Sequence, residues 1–302
     1  MNQRRRQRFG VRIAELQRQT GLPHNTLLRD HALSYMLGGI AAVPELVDYV
    51  VFKGGTALRK CFFAGYRFSE DLDFSSRDLR VWTQREIMAL LRAACGAAQA
   101  LAENVEVPYT FTPQYQQHRE DKSHLQHDVR ITVDYPTGAS LPVKFELTQV
   151  EPILRPIHIL PVIHGFPDEP FDVTIPVYAL DEVVLEKLRA FLQTAENLGR
   201  RDWTNRARDL YDLWWLWTEG APVSWGELIE PLREKAAARG VGFDGPADFL
   251  DARVLRSYRD SWPLRLGNLV PRLPEFTDAL DAYREVIGGV FGIDPPPAPP
   301  LD

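Results

Sequence analysis

The chain has 302 residues, 45% hydrophobic and 25% charged; this composition supports a buried core and excludes wholesale disorder. A formal charge of −6 argues against a surface that binds nucleic acid over its whole extent. The two cysteines, Cys61 and Cys95, make neither a disulfide framework nor a metal-binding spacing. No run approaches the ~18 apolar residues of a membrane helix. The basic start, MNQRRRQRFGVRIAEL, lacks the apolar stretch of a signal peptide. The expectation is a cytoplasmic protein with no membrane contact.

Helical spacing of apolar residues predicts helices over 12–19 and 25–40, the second capped by Asn25. The apolar run 49–52 ends at Gly54-Gly55 and reads as a strand feeding a glycine turn, with a helix over 56–63. Residues 71–75 alternate carboxylate and apolar side chains, a strand signal. Thr83 and Glu86 have capping-box spacing at the start of a helix over 83–102. Strands are expected over 105–112, 128–135, 142–147 and 171–177, with the polar stretch 114–126 as a mobile hairpin. Helices follow over 181–194, 201–218, 225–239, 246–258 and 274–286. The tail 293–302 is too rich in proline for helix or sheet and is expected to be disordered. The organisation is α+β: an α/β lobe over 1–178, then a helical lobe over 179–292.

The sharpest local signal is Phe52-Lys-Gly-Gly-Thr-Ala-Leu-Arg-Lys60 followed by Arg67-Phe-Ser-Glu-Asp-Leu-Asp-Phe74. Glycines let a phosphate approach the backbone, and a following helix start offers free N–H groups. Asp71 and Asp73 are two apart on a strand, so both side chains share a face. Two such carboxylates repel unless a cation lies between them, and oxygen-rich sites suit Mg²⁺. The motif therefore reads as a metal–nucleotide site. Gly54, Gly55, Thr56, Arg59 and Lys60 are the candidates for nucleotide contact.

These segments resemble the AbiEii/AbiGii-type nucleotidyltransferase toxins of the DNA polymerase β-like superfamily. Leu180-Asp-Glu-Val-Val-Leu-Glu-Lys-Leu-Arg-Ala190 and Arg206-Ala-Arg-Asp-Leu-Tyr-Asp-Leu213 are similar to that family's later motifs. The resemblance implies a bilobed enzyme whose helical lobe closes a cleft over the α/β lobe. It implies a third carboxylate on a later strand, for which Glu146 is the choice and Asp134 the alternative. It further implies that Lys187 and Asp209 are catalytic, and that two Mg²⁺ ions bridge the carboxylates and an NTP. Some relatives modify the 3′ end of tRNA and so block translation, in toxin–antitoxin or phage-defence systems with a separately encoded antitoxin.

A tRNA or other RNA acceptor needs a basic track, and Arg4, Arg5, Arg6, Arg8, Arg12, Arg200, Arg201 and Arg206 are its candidates. The alternatives are nucleotidylation of protein hydroxyls and a non-catalytic nucleotide-binding module. Ser69, two residues before Asp71, is a candidate regulatory position if it shares the strand phase of the aspartates, because a phosphate there would add charge beside them. The tryptophans 203, 214, 215 and 217 read as core at helix spacing, and His118, His124 and His127 as hairpin residues without ligand cues.

Overall fold

The computed structural model describes residues 3–78, 80–105, 107, 109–120, 125–136, 138–200 and 205–301, with the side chains of 3–8 and 118–120 excluded. Arg201, Trp203 and His124 lie outside the described residues, as do the side chains of Arg4, Arg5, Arg6, Arg8 and His118. The chain forms two compact units, one of residues 1–151 and 157–178, the other of 152–156 and 179–302. No described helix is long and apolar enough to cross a membrane.

The first unit runs α1 (Gln3–Thr20), α2 (His24–Ala41), α3 (Pro44–Val47), β1 (Val50–Lys53) and α4 (Gly54–Ala57). The last of these continues as a π-helical turn over Leu58–Phe62. Then come β2 (Asp71–Ser76), α5 (Gln84–Asn104), β3 (Thr110–Glu120), β4 (Leu125–Asp134), β5 (Ser140–Gln149), β6 (Ile157–Pro161) and β7 (Thr174–Tyr178). The strands form one mixed sheet in the order β3-β4-β5-β2-β1-β7-β6. Period-two alternation puts Phe52, Phe74 and Phe145 on one face, with ring centroids 5.1 and 5.2 Å apart along the row. That face is the core, and α2 and α5 pack together and onto strands of the sheet. Nearly all of α2 is buried, so it is a central helix and not an amphipathic surface one.

The described residues of the 114–126 stretch belong to two long antiparallel strands: Gln114 pairs with Arg130 and Glu120 with Leu125, and on its other side β4 pairs with β5 from Leu125↔Gln149 to Asp134↔Ser140. Paired backbone on both sides lets polar residues occupy a strand that their composition disguises. Strand β6 was not anticipated; it is short and proline-ended, and pairs with β7 at the sheet edge. Asn25 does not cap α2, which starts at His24 after Pro23. The Thr83–Glu86 capping box of α5 is present in both directions.

The second unit contains α6 (Leu180–Asn197), α7 (Ala207–Thr218), α8 (Ile229–Ala237), α9 (Ala252–Leu266) and α10 (Phe276–Phe291). The helix expected over 246–258 divides, because the Asp251 side chain caps a new helix by accepting from the N–H groups of Arg253 and Val254. Residues 152–156 are tied to this unit. Glu182 Oε2 accepts from the Leu154 and Arg155 amides at 2.9 Å each, and Lys235 Nζ donates to the Pro152 carbonyl at 2.9 Å. Trp217 lies where a side chain on Gly289 would meet it at 3.1 Å, so α7 and α10 approach closely there. The described tryptophans Trp214, Trp215 and Trp217 are half-buried rather than part of the core. Two described residues of the proline-rich tail make hydrogen bonds: the Pro296 carbonyl accepts from Arg284 Nε at 2.6 Å and the Leu301 carbonyl from Arg259.

Candidate active site

The polar face of the sheet carries a row that the strand register makes. Lys53 on β1 pairs with Asp73 on β2, Asp73 with Glu146 on β5, Glu146 with Asp128 on β4, and Asp128 with Gln117 on β3. Each of these residues alternates with a core residue, so the acids face away from the phenylalanine row. Asp71, two residues before Asp73, shares the face. Burial, then the charges of Glu146 and Asp71, hold the Asp73 carboxyl well above the usual carboxylate range, with Lys53 opposing them. Asp73 is also hydrogen-bonded to Glu146.

Glu146 thus stands beside Asp73, and Lys144 Nζ donates to its Oε1 at 2.5 Å. Asp134, the alternative, is exposed and pairs with Thr110 and Ser140, at the far end of β4 from the acidic row. Two residues that the motifs did not single out complete the row. Gln126 Nε2 bridges Asp128 Oδ1 and Glu146 Oε1 at 2.6 Å each, and Gln117 Nε2 donates to Asp128 Oδ2 at 2.6 Å. Lys53, too, is buried and pairs with Glu151 at 3.1 Å.

The glycines serve the acids directly. Gly54 has φ +78°, and a Cβ there would lie 2.6 Å from Asp73 Oδ2. A Cβ on Gly55 would lie 2.4 Å from the Arg67 guanidinium, which is buried and donates to the Phe68 carbonyl at 3.1 Å. The Thr56 hydroxyl donates to the Asp71 carbonyl at 2.5 Å, tying the helix start to β2.

Arg59 and Lys60, expected at the phosphates, turn instead to α2. Arg59 Nε meets Asp30 Oδ1 at 2.6 Å, and its guanidinium covers the Phe68 ring. Lys60 Nζ meets Asp30 Oδ2 at 2.9 Å and Ser34 at 3.1 Å, and is 2% exposed. Burial would raise the Asp30 carboxyl, but Lys60 and Arg59 hold it well below the usual range. Ser69 is buried and precedes β2, which begins at Asp71, so strand phase does not put it with the aspartates. Arg12 is engaged by Glu169 and is not part of a free basic track.

In the second unit, Lys187 Nζ donates to Asp209 Oδ1 at 2.9 Å and to Asp212 Oδ2 at 2.6 Å. Arg206 reaches Asp209 Oδ2 at 3.3 Å. Burial would raise the Asp209 carboxyl, but Lys187 and Arg206 outweigh it and lower it. The ring nitrogens of His127 meet the Tyr115 hydroxyl at 2.8 Å and the Trp82 carbonyl at 3.1 Å, the contacts of a structural histidine.

The family described as "Nucleotidyl transferase AbiEii toxin, Type IV TA system" matches residues 36–285. In fold the chain is similar to MenT4, a nucleotidyltransferase toxin from Mycobacterium tuberculosis H37Rv. The TM-score is 0.53 at 22% identity, over 90% of this chain and 85% of that one. No curated protein matches the sequence significantly. With the glycine turn, the aspartate strand and the helical motifs all inside the matched span, the chain belongs to the AbiEii family and is a nucleotidyltransferase of the toxin type.

Proposed function

We infer that the chain transfers a nucleoside monophosphate from an NTP to the 3′ end of tRNA, blocking translation until a separately encoded antitoxin restrains it. The observation that carries the reading is the carboxylate row, in which Asp73 pairs with Glu146 across β2 and β5, shares its face with Asp71 and lies against the backbone of Gly54. The donors are all carboxylate oxygens, a set that fits Mg²⁺, and Asp71, Asp73 and Glu146 would hold two ions. When bound, the ions would offset charge on the triphosphate and orient the α-phosphate.

The chain's own residues do the rest. The Gly54-Gly55 turn, having no side chains, lets the Asp73 carboxylate and the Arg67 guanidinium lie against its backbone, which brings an acid and a cation to one turn. Lys187 supplies a positive charge, and Asp209 and Asp212 fix its ammonium group. An acceptor hydroxyl attacks the α-phosphorus, the bond to pyrophosphate breaks, and the hydroxyl proton leaves to solvent.

The test incubates the purified chain with each α-labelled NTP, Mg²⁺, and total RNA or total protein. Label in the tRNA band is expected. Label in protein alone would replace RNA by a protein acceptor, and label nowhere would leave a nucleotide-binding module.

A further inference from the structure

Residues 162–173 join β6 to β7 and carry Glu169 and His164 to α2. There the Glu169 carboxylate is buried. His31 Nε2 lies 3.0 Å and His164 Nε2 2.8 Å from the same oxygen, Oε2, and the Tyr35 hydroxyl donates to that oxygen as well. Arg12 takes Oε1. One ligand atom from each of His31, His164 and Glu169 lies within 4.8 Å of the others.

A carboxylate oxygen offers about two lone pairs, and here three groups aim at one oxygen. If both imidazoles give their Nε2–H to it, His164 Nδ1 is left as a buried acceptor, and it has no hydrogen-bond partner among the described residues. With each ring proton on Nδ1 instead, the same three atoms are a His₂Glu ligand set, which Zn²⁺ binds at about 2.0–2.2 Å. Two imidazoles disfavour Mg²⁺, which takes oxygen ligands.

The outer contacts match those of a ligating set. The Tyr109 hydroxyl meets His31 Nδ1 at 2.5 Å, which orients the ring with Nε2 toward Glu169. Arg12 and Tyr35 hold the carboxylate. Aromatic rings enclose the cluster, with Phe166 4.3 Å from the His31 ring and Phe171 4.8 Å from that of His164. All of this lies within the first unit and shares no residue with the acidic row of the sheet.

We propose that His31, His164 and Glu169 form a zinc site that fastens the 162–173 segment to α2. The site does not depend on nucleotidyl transfer, so either reading can fail without the other.

The test uses the full chain, stripped with chelator and titrated with Co²⁺ and then Zn²⁺ alone. One equivalent of Co²⁺ should give the visible d–d absorption of a low-coordinate ion, and Zn²⁺ should remove it and raise the melting temperature. His164→Ala and Glu169→Gln should each lose the signal. Tyr109→Phe should weaken Zn²⁺ binding about 10- to 100-fold. Asp73→Asn, in the other carboxylate site, should bind Zn²⁺ as the parent chain does. The parent chain alone decides the matter if a variant fails to fold: a spectrum of hydrated Co²⁺ with no Zn²⁺ uptake overturns the proposal. Undiminished binding in both folded ligand variants overturns it too.

Discussion

Asp73 Oδ2 occupies the space that a side chain on Gly54 would fill, 2.6 Å from the position of its Cβ. Gly54 is also left-handed, at φ +78°. The glycine is therefore required twice, once for its backbone and once for the carboxylate it admits. Gly54→Ala should cost about 1–2 kcal/mol from the backbone strain alone and should displace Asp73 from the row. Denaturant melts and transfer assays check this, and full activity in a folded variant would show that the close approach is dispensable.

Asp73→Ala and Asp71→Ala should each abolish transfer. Asp73→Asn should also stabilise the metal-free chain. An acid whose folded pKa lies above its unfolded one binds more protons folded than unfolded, so its penalty is absent at low pH. The penalty grows as pH rises above the unfolded value, toward and through the raised folded value. Melting curves of parent and variant should coincide near pH 4 and diverge toward neutrality, by on the order of 1 kcal/mol, the scale of one pKa unit. A stability gap independent of pH would mean that the folded chain does not raise the Asp73 carboxyl.

Glu146→Gln should lower the transfer rate about a hundredfold, the scale of losing one charged contact in a transition state. Asp134→Asn should leave rate and stability within about 0.5 kcal/mol, as for an exposed side chain away from the row. The reverse ranking of rates would move the third carboxylate to Asp134.

Lys187→Ala removes the cation between Asp209 and the fully buried Asp212. Breaking a buried pair from one side costs about 3–5 kcal/mol. Adding Asp212→Asn should recover part of that stability without recovering transfer. If the double variant regains activity, the role of Lys187 is structural alone.

Ser69→Asp places a charge at a buried position outside the strand, so it should lower stability by about 2 kcal/mol or more. Ser69→Ala should be nearly neutral. A Ser69→Asp chain that melts normally yet loses NTP affinity would restore the regulatory reading.

Period two along β2 and β5 was enough to place Asp71, Asp73 and Glu146 opposite apolar neighbours, and the Thr83–Glu86 spacing was enough to start α5. The family was readable from the glycine and aspartate motifs, because such chemistry requires fixed residue types at short local spacing. Local pattern could not give the fate of Arg59 and Lys60. Which cation meets phosphate and which meets Asp30 depends on α2, about thirty residues away in sequence. Both Glu146 and Asp134 sit in alternating strands, so the choice of Glu146 needed inter-strand register, which brings it to Asp73, to become a structural fact. His164 and Glu169 stand five residues apart, but His31 comes 138 residues before Glu169, so no local pattern joins the three. Sequence determines which side chains share a strand face or a helix turn; only tertiary structure decides which distant faces meet, because strand pairing and burial are set by the whole core.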